Sequence, residues 1–178
     1  MDSKSRYLFS WLRTFFVWAN VFIFLTICTL SFANSSALQL AKEGALTLEK
    51  SVGVFFPFNL LFFYVGSQQL ASAVQQEPFS LEVRLIRIEA FFKFVESNRV
   101  AQDVLIEDGE FLLLFKERVK LDAEVEKKLT YILAYTYGLK KDIVKFSFYV
   151  DKLRNIKDSK GYLENLEKRF PSMIPKNF

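Results

Sequence analysis

Side chains able to carry acid–base, nucleophilic or metal chemistry are few in kind in this chain. Histidine, the usual proton carrier near neutral pH and the commonest metal ligand, does not occur in the sequence. The single cysteine, Cys28, lies inside an apolar run. The chain therefore builds neither an internal disulfide nor a cysteine zinc site, and Cys28 reads as a small packing residue. Serine, lysine and carboxylate chemistry remain. A serine nucleophile needs a positioned base, and no local context singles out one Ser–Lys pair. The carboxylates fall where solvated helix faces are expected, and the glycines form neither a phosphate-cradling loop nor a nucleophile elbow. No catalytic residue, cofactor-binding residue or metal ligand is assigned, and no cofactor or metal is expected.

The charge that is present is unevenly placed. Residues 77–178 carry 19 Lys/Arg and 17 Asp/Glu, whereas residues 1–76 carry five and three. No charge falls between Arg13 and Lys42, and residues 14–33 supply the roughly 20 apolar positions that span a bilayer. Trp11, Arg13 and Trp18 stand at the N-terminal end of this run, where headgroup-level anchors sit. A signal peptide cleaved near Ala33 competes with this reading, but the apolar run is longer than a signal core and a second uncharged window follows. That window is 51–76. With Pro57 in the first helical turn, a helix from Pro57 to Val74 rises about 27 Å at ~1.5 Å per residue, close to the ~30 Å hydrocarbon core. A second crossing is expected, with a re-entrant loop or a helix buried against partner subunits as alternatives.

The expected fold class is thus a mainly α membrane protein. It divides into an N-terminal segment 1–13, a transmembrane helix 14–33, an amphipathic connecting helix within 34–50, a second transmembrane helix 51–76, a mostly helical soluble domain 77–171 and a tail 172–178. Lys4, Arg6 and Arg13 precede the first span, Lys42 and Lys50 lie between the spans, and Arg84, Arg87 and Lys93 follow the second. This bias places a multi-pass protein with both termini in the cytoplasm or its organellar equivalent. Ser35 or Ser36, Ser80, Asp122 and Asp142 are expected to cap helices. Asp108-Gly109 stands between two apolar runs and suits a short β-hairpin, in competition with a helix break at Gly109. Alternation of Val144, Phe146, Phe148 and Val150 allows a strand where helical spacing also fits.

Polar residues within the two uncharged windows are expected to fix how the spans meet, Asn20 against Ser67 or Gln68 and Thr26 against Asn59. The 21 phenylalanines exceed what so small a domain buries alone, so Phe91, Phe94, Phe146, Phe148 and Tyr149 form a candidate partner surface. Residues 139–178 contain ten Lys/Arg and five Asp/Glu in scattered order. They read as a solvated face, and nucleic acid is not expected. The partners expected are the lipid bilayer and other subunits of a membrane complex. The function expected is that of a non-catalytic integral membrane subunit, or an assembly or scaffold factor. A component of a homo-oligomeric transporter or channel, and a membrane enzyme using serine or carboxylate chemistry, are the competing readings.

Overall fold

The computed structural model describes residues 35–174, and every regular element among them is helical. In chain order these are α1 (Ala37–Lys50), α2 (Phe58–Gln76), α3 (Leu81–Phe92), α4 (Arg99–Leu114), α5 (Lys116–Val119), α6 (Ala123–Lys140), α7 (Ile143–Arg154) and α8 (Lys160–Arg169), with a 3-10 turn at Ser51–Gly53. Short polar side chains start most of them by accepting from orphan amides of the first turn. Ser36 accepts from the Gln39 N–H at 3.3 Å, and Ser80 from Val83 at 3.4 Å. Asn98 serves Val100 and Ala101, Asp122 serves Val125, and Asp142 serves Lys145. α5 and α6 each end on a lysine in the left-handed region, Lys120 at φ 53° and Lys141 at φ 59°.

Helices next to each other in sequence are mostly neighbours in space: α1 with α2, α3 with α4, and α6 with α7. Contacts of α1 with α3 and of α4 with α6 join these pairs, and α8 closes against α6 and α7. The core runs through them all, with Leu40, Leu70, Leu105, Leu112, Leu133 and Leu153 fully buried; each such side chain contributes about 1.5–3 kcal/mol.

The tightest approach is between α1 and α2. A Cβ on Gly66 would lie 2.5 Å from the Leu48 amide nitrogen and 2.8 Å from the Gly44 carbonyl oxygen. One on Gly44 would lie 3.0 Å from the Leu70 amide nitrogen. The two backbones meet where neither carries a side chain, and the pairing of 44 with 70 and 48 with 66 makes the hairpin antiparallel. The cis Phe56–Pro57 peptide lies in the connection between them.

Several expectations are corrected here. Among the described residues no helix is long and apolar enough to cross a membrane. α2 occupies most of the second window, but freedom from charge is not apolarity. Asn59, Gln68, Gln69, Gln75 and Gln76 interrupt it, and it buries Gly66, Leu70, Ala73 and Val74 in the chain's own core. The second span therefore falls, and with it the transmembrane hairpin, the multi-pass location and the placing of both termini on one side. The first expected span, 14–33, lies outside the described residues. The β-hairpin at 104–115 is also replaced, because α4 runs through Asp108 and Gly109 without a break. Residues 143–151 are helical, within α7.

The close approach gives a direct test of the α1–α2 hairpin. Alanine at position 66 gains helix propensity of about 1 kcal/mol, yet its methyl meets backbone that a rotamer change cannot move. Gly66→Ala should lower stability to urea by about 1–3 kcal/mol net, whereas Gly53→Ala, with open space around its Cβ, should cost nothing measurable. Equal midpoints for the two variants would contradict the close backbone contact.

Candidate functional site

Two clusters of charged groups join helices of the described fold, one buried around Asp108 and one half-exposed around Glu110. Asp108 on α4 is fully buried and receives two guanidinium groups from α3. Arg87 donates from Nε to one carboxylate oxygen at 2.5 Å and from Nη2 to the other at 2.6 Å, while Arg84 donates from Nη1 to the latter. Both guanidinium groups have further partners. Arg84 Nε donates to the Pro78 carbonyl at 2.7 Å, its guanidinium carbon lies 3.7 Å from the Phe111 ring centroid, and Arg87 Nη2 reaches Glu107 at 3.0 Å. Burial disfavours the charge on Arg87, but the bonds from Asp108 and the Glu107 carboxylate outweigh it and hold the pKa above its ordinary value. A carboxylate so buried and so paired joins helices and is closed to a substrate.

The second cluster gathers around Glu110, two residues on and near the opposite face of the same helix. Its Oε1 accepts from Tyr137 Oη at 2.8 Å, from Tyr149 Oη at 3.0 Å and from Lys145 Nζ at 3.0 Å. The two phenol rings stack, with centroids 5.7 Å apart and planes 7° from parallel. Burial opposes ionisation of Glu110, yet its three donors lower its pKa. Burial and the adjacent carboxylate both raise the pKa of Tyr137 and of Tyr149. Both phenols therefore stay protonated donors, and neither is set up as a base.

A further feature of the described residues is apolar. At the end of the α1–α2 hairpin, Phe55 is 75% and Phe56 72% exposed, with Val52, Leu60 and Tyr64 likewise exposed around them. Local backbone holds this tip in shape. The Phe55 carbonyl accepts from the amides of Phe58 at 3.0 Å and Asn59 at 3.3 Å, Asn59 Oδ1 accepts from Leu60 at 2.8 Å, and the Pro57 carbonyl accepts from Leu61 at 3.2 Å. Phe63, on the inner side of α2, packs edge-on against Phe91 and Phe94 and fixes the hairpin to α3.

No protein-family model, no curated protein and no solved structure matches this chain. Among the described residues no group of three or more His, Cys, Asp or Glu is placed to hold a metal ion.

The residues singled out from the sequence are dispersed by the fold. Asn59 turns its side chain to the Leu60 amide, and Ser67 Oγ donates to the Phe63 carbonyl at 2.6 Å, so both serve their own helix. Gln68 is exposed. Asn20 and Thr26, their expected partners, and the anchors Trp11, Arg13 and Trp18 lie outside the described residues. Of the candidate partner surface, Phe91, Phe146 and Tyr149 are buried in this chain's own core, and Phe94 packs on Phe63. Phe148 alone of that set is exposed. Sequence reasoning missed the ion cluster because Arg84 and Arg87 fall beside the apolar stripe of α3 and look solvated. It placed the Phe55–Phe56 tip in hydrocarbon because an uncharged run carries no mark of where a helix pair turns.

Two measurements probe the clusters. Asp108→Ala strands two buried guanidinium groups and should cost about 3–5 kcal/mol of unfolding free energy. Asp103→Ala removes only the exposed partner of Lys140 and should cost under about 1 kcal/mol; similar losses would show that the buried cluster is not a joint. For the phenols the sign follows from their raised pKa: the stability they add is complete below the ordinary phenol value of about 10 and is lost as pH rises through the folded value. The stability gap between the wild type and Tyr149→Phe should therefore be smaller above the ordinary phenol value of about 10 than near neutrality. An unchanged gap in urea titrations at the two pH values would refute the assignment.

Proposed function

We propose that this chain is a non-catalytic docking module, a scaffold or assembly subunit that holds an apolar tip out to a partner. The observation that carries the reading is the exposure of Phe55 and Phe56 at the end of the most closely packed helix pair. Large apolar side chains gathered at one exposed place mark interaction surfaces, whereas scattered ones are ordinary. Here they stand on a base that cannot fold over them, because α1 and α2 are locked at Gly44 and Gly66 and α2 is pinned to α3 through Phe63. The non-catalytic part of the reading is supported by the two clusters, in which Asp108 and Glu110 accept from side chains of neighbouring helices.

A photoreactive benzoylphenylalanine in place of Phe56 tests this in cells that express the full chain. A discrete adduct, identified by mass as protein or lipid, is expected there. Leu114 is equally exposed at 76% but lies near the Phe79–Phe111–Phe115 end of the fold, and the same probe there should give none. No adduct at 56, or the same adducts at both positions, would overturn the proposal.

A further inference from the structure

Resting on the docking reading above, we infer that the occupant of the tip is a lipid surface: Phe55, Phe56 and the first two turns of α2 enter the boundary between headgroups and acyl chains from one side, without crossing. Four observations favour lipid over a pocket in another protein. The first is the spread of the apolar side chains. Leu60 and Tyr64 are exposed on α2, and Val52, Phe55 and Phe56 on the connection that leads into it. A pocket takes up one or two anchoring side chains, whereas these run from the connection along two turns of α2.

The second is depth. From Phe58 to Tyr64 is six residues, about 9 Å at ~1.5 Å per residue, and interfacial elements bury their apolar parts by about 5–10 Å. The third is the backbone. The opening amides of a helix ordinarily need water, and in hydrocarbon each unmet group is costly. At this tip Phe58, Asn59, Leu60 and Leu61 all donate within the loop and first turn, and Pro57 has no N–H to satisfy.

The fourth is charge. No Asp, Glu, Lys or Arg occurs in residues 51–76. At the collar above the tip, Glu49 is paired with Lys93 at 2.7 Å, so Lys50 leaves that collar net positive. A positive collar above an apolar point complements anionic headgroups over acyl chains.

The test uses the full chain with Cys28→Ser and a single labelling site, either Phe56→Cys or Leu114→Cys, carrying an environment-sensitive nitrobenzoxadiazole dye. Each is mixed with phosphatidylcholine–phosphatidylserine vesicles, about one third anionic, with or without lipids bearing a nitroxide just below the headgroup. At position 56 the emission should move to the blue on adding vesicles, and the nitroxide should quench it at least about twofold more than at position 114. An aqueous emission at 56 in the presence of vesicles would overturn the lipid assignment. So would an emission already blue without vesicles and insensitive to the nitroxide. That second result would mean protein covers the tip, and it would leave the docking reading standing.

Discussion

Three consecutive residues on α4 hold the described fold together. Asp108 binds Arg84 and Arg87 and joins α4 to α3. Gly109 lets α4 close on α6, since a Cβ there would lie 3.0 Å from the Leu133 side chain. Glu110 accepts from Tyr137 on α6 and from Tyr149 on α7. Each residue supplies what its neighbour cannot: a buried charge, an absent side chain and a half-exposed carboxylate. Because adjacent helical residues point about 100° apart, one turn of one helix meets three others.

This joint explains why the two polar clusters are fully engaged. A carboxylate taken out of water is tolerated only when its lone pairs are met, and losing one partner of such a set costs several kcal/mol. Asp108 meets that condition with donors from two guanidinium groups, and Arg84 in turn lies against Phe111 in a ring of aromatic side chains with Phe79 and Phe115. Glu110, half-exposed, accepts at Oε1 from three donors on two helices. Groups committed in this way specify which helices adjoin. The apolar tip is the reverse case, made of side chains the fold itself leaves unused.

Four helix starts were legible in the sequence because they depend on local chemistry, while the start of α4 at Asn98 was not read. Ser36, Ser80, Asp122 and Asp142 each cap the helix their type and place suggest. What connects the helices was not legible, since Asp108-Gly109 has the same two residues whether it turns a hairpin or docks a helix. The choice is made by Arg84 and Arg87, more than twenty positions earlier, and by Leu133, more than twenty later. The second uncharged window misled for a related reason. Residues 51–76 lack charge because their small and apolar members, Gly66, Leu70 and Ala73, pack on α1 while Phe55 and Phe56 project beyond it. Absence of charge does not tell a helix packed on its neighbour from an exposed apolar tip, and only the pairing of Gly44 with Gly66 identifies α1 as the cover of the packed part.

The joint at Asp108-Gly109-Glu110 is tested most directly by native-state hydrogen exchange at the amides of residues 109–112. If α4 is continuous and clamped to three helices, these amides exchange only through global unfolding, with the same free energy as the amides of Ile132 and Leu133 in α6. Exchange at rates typical of an exposed turn, independent of global stability, would contradict the account.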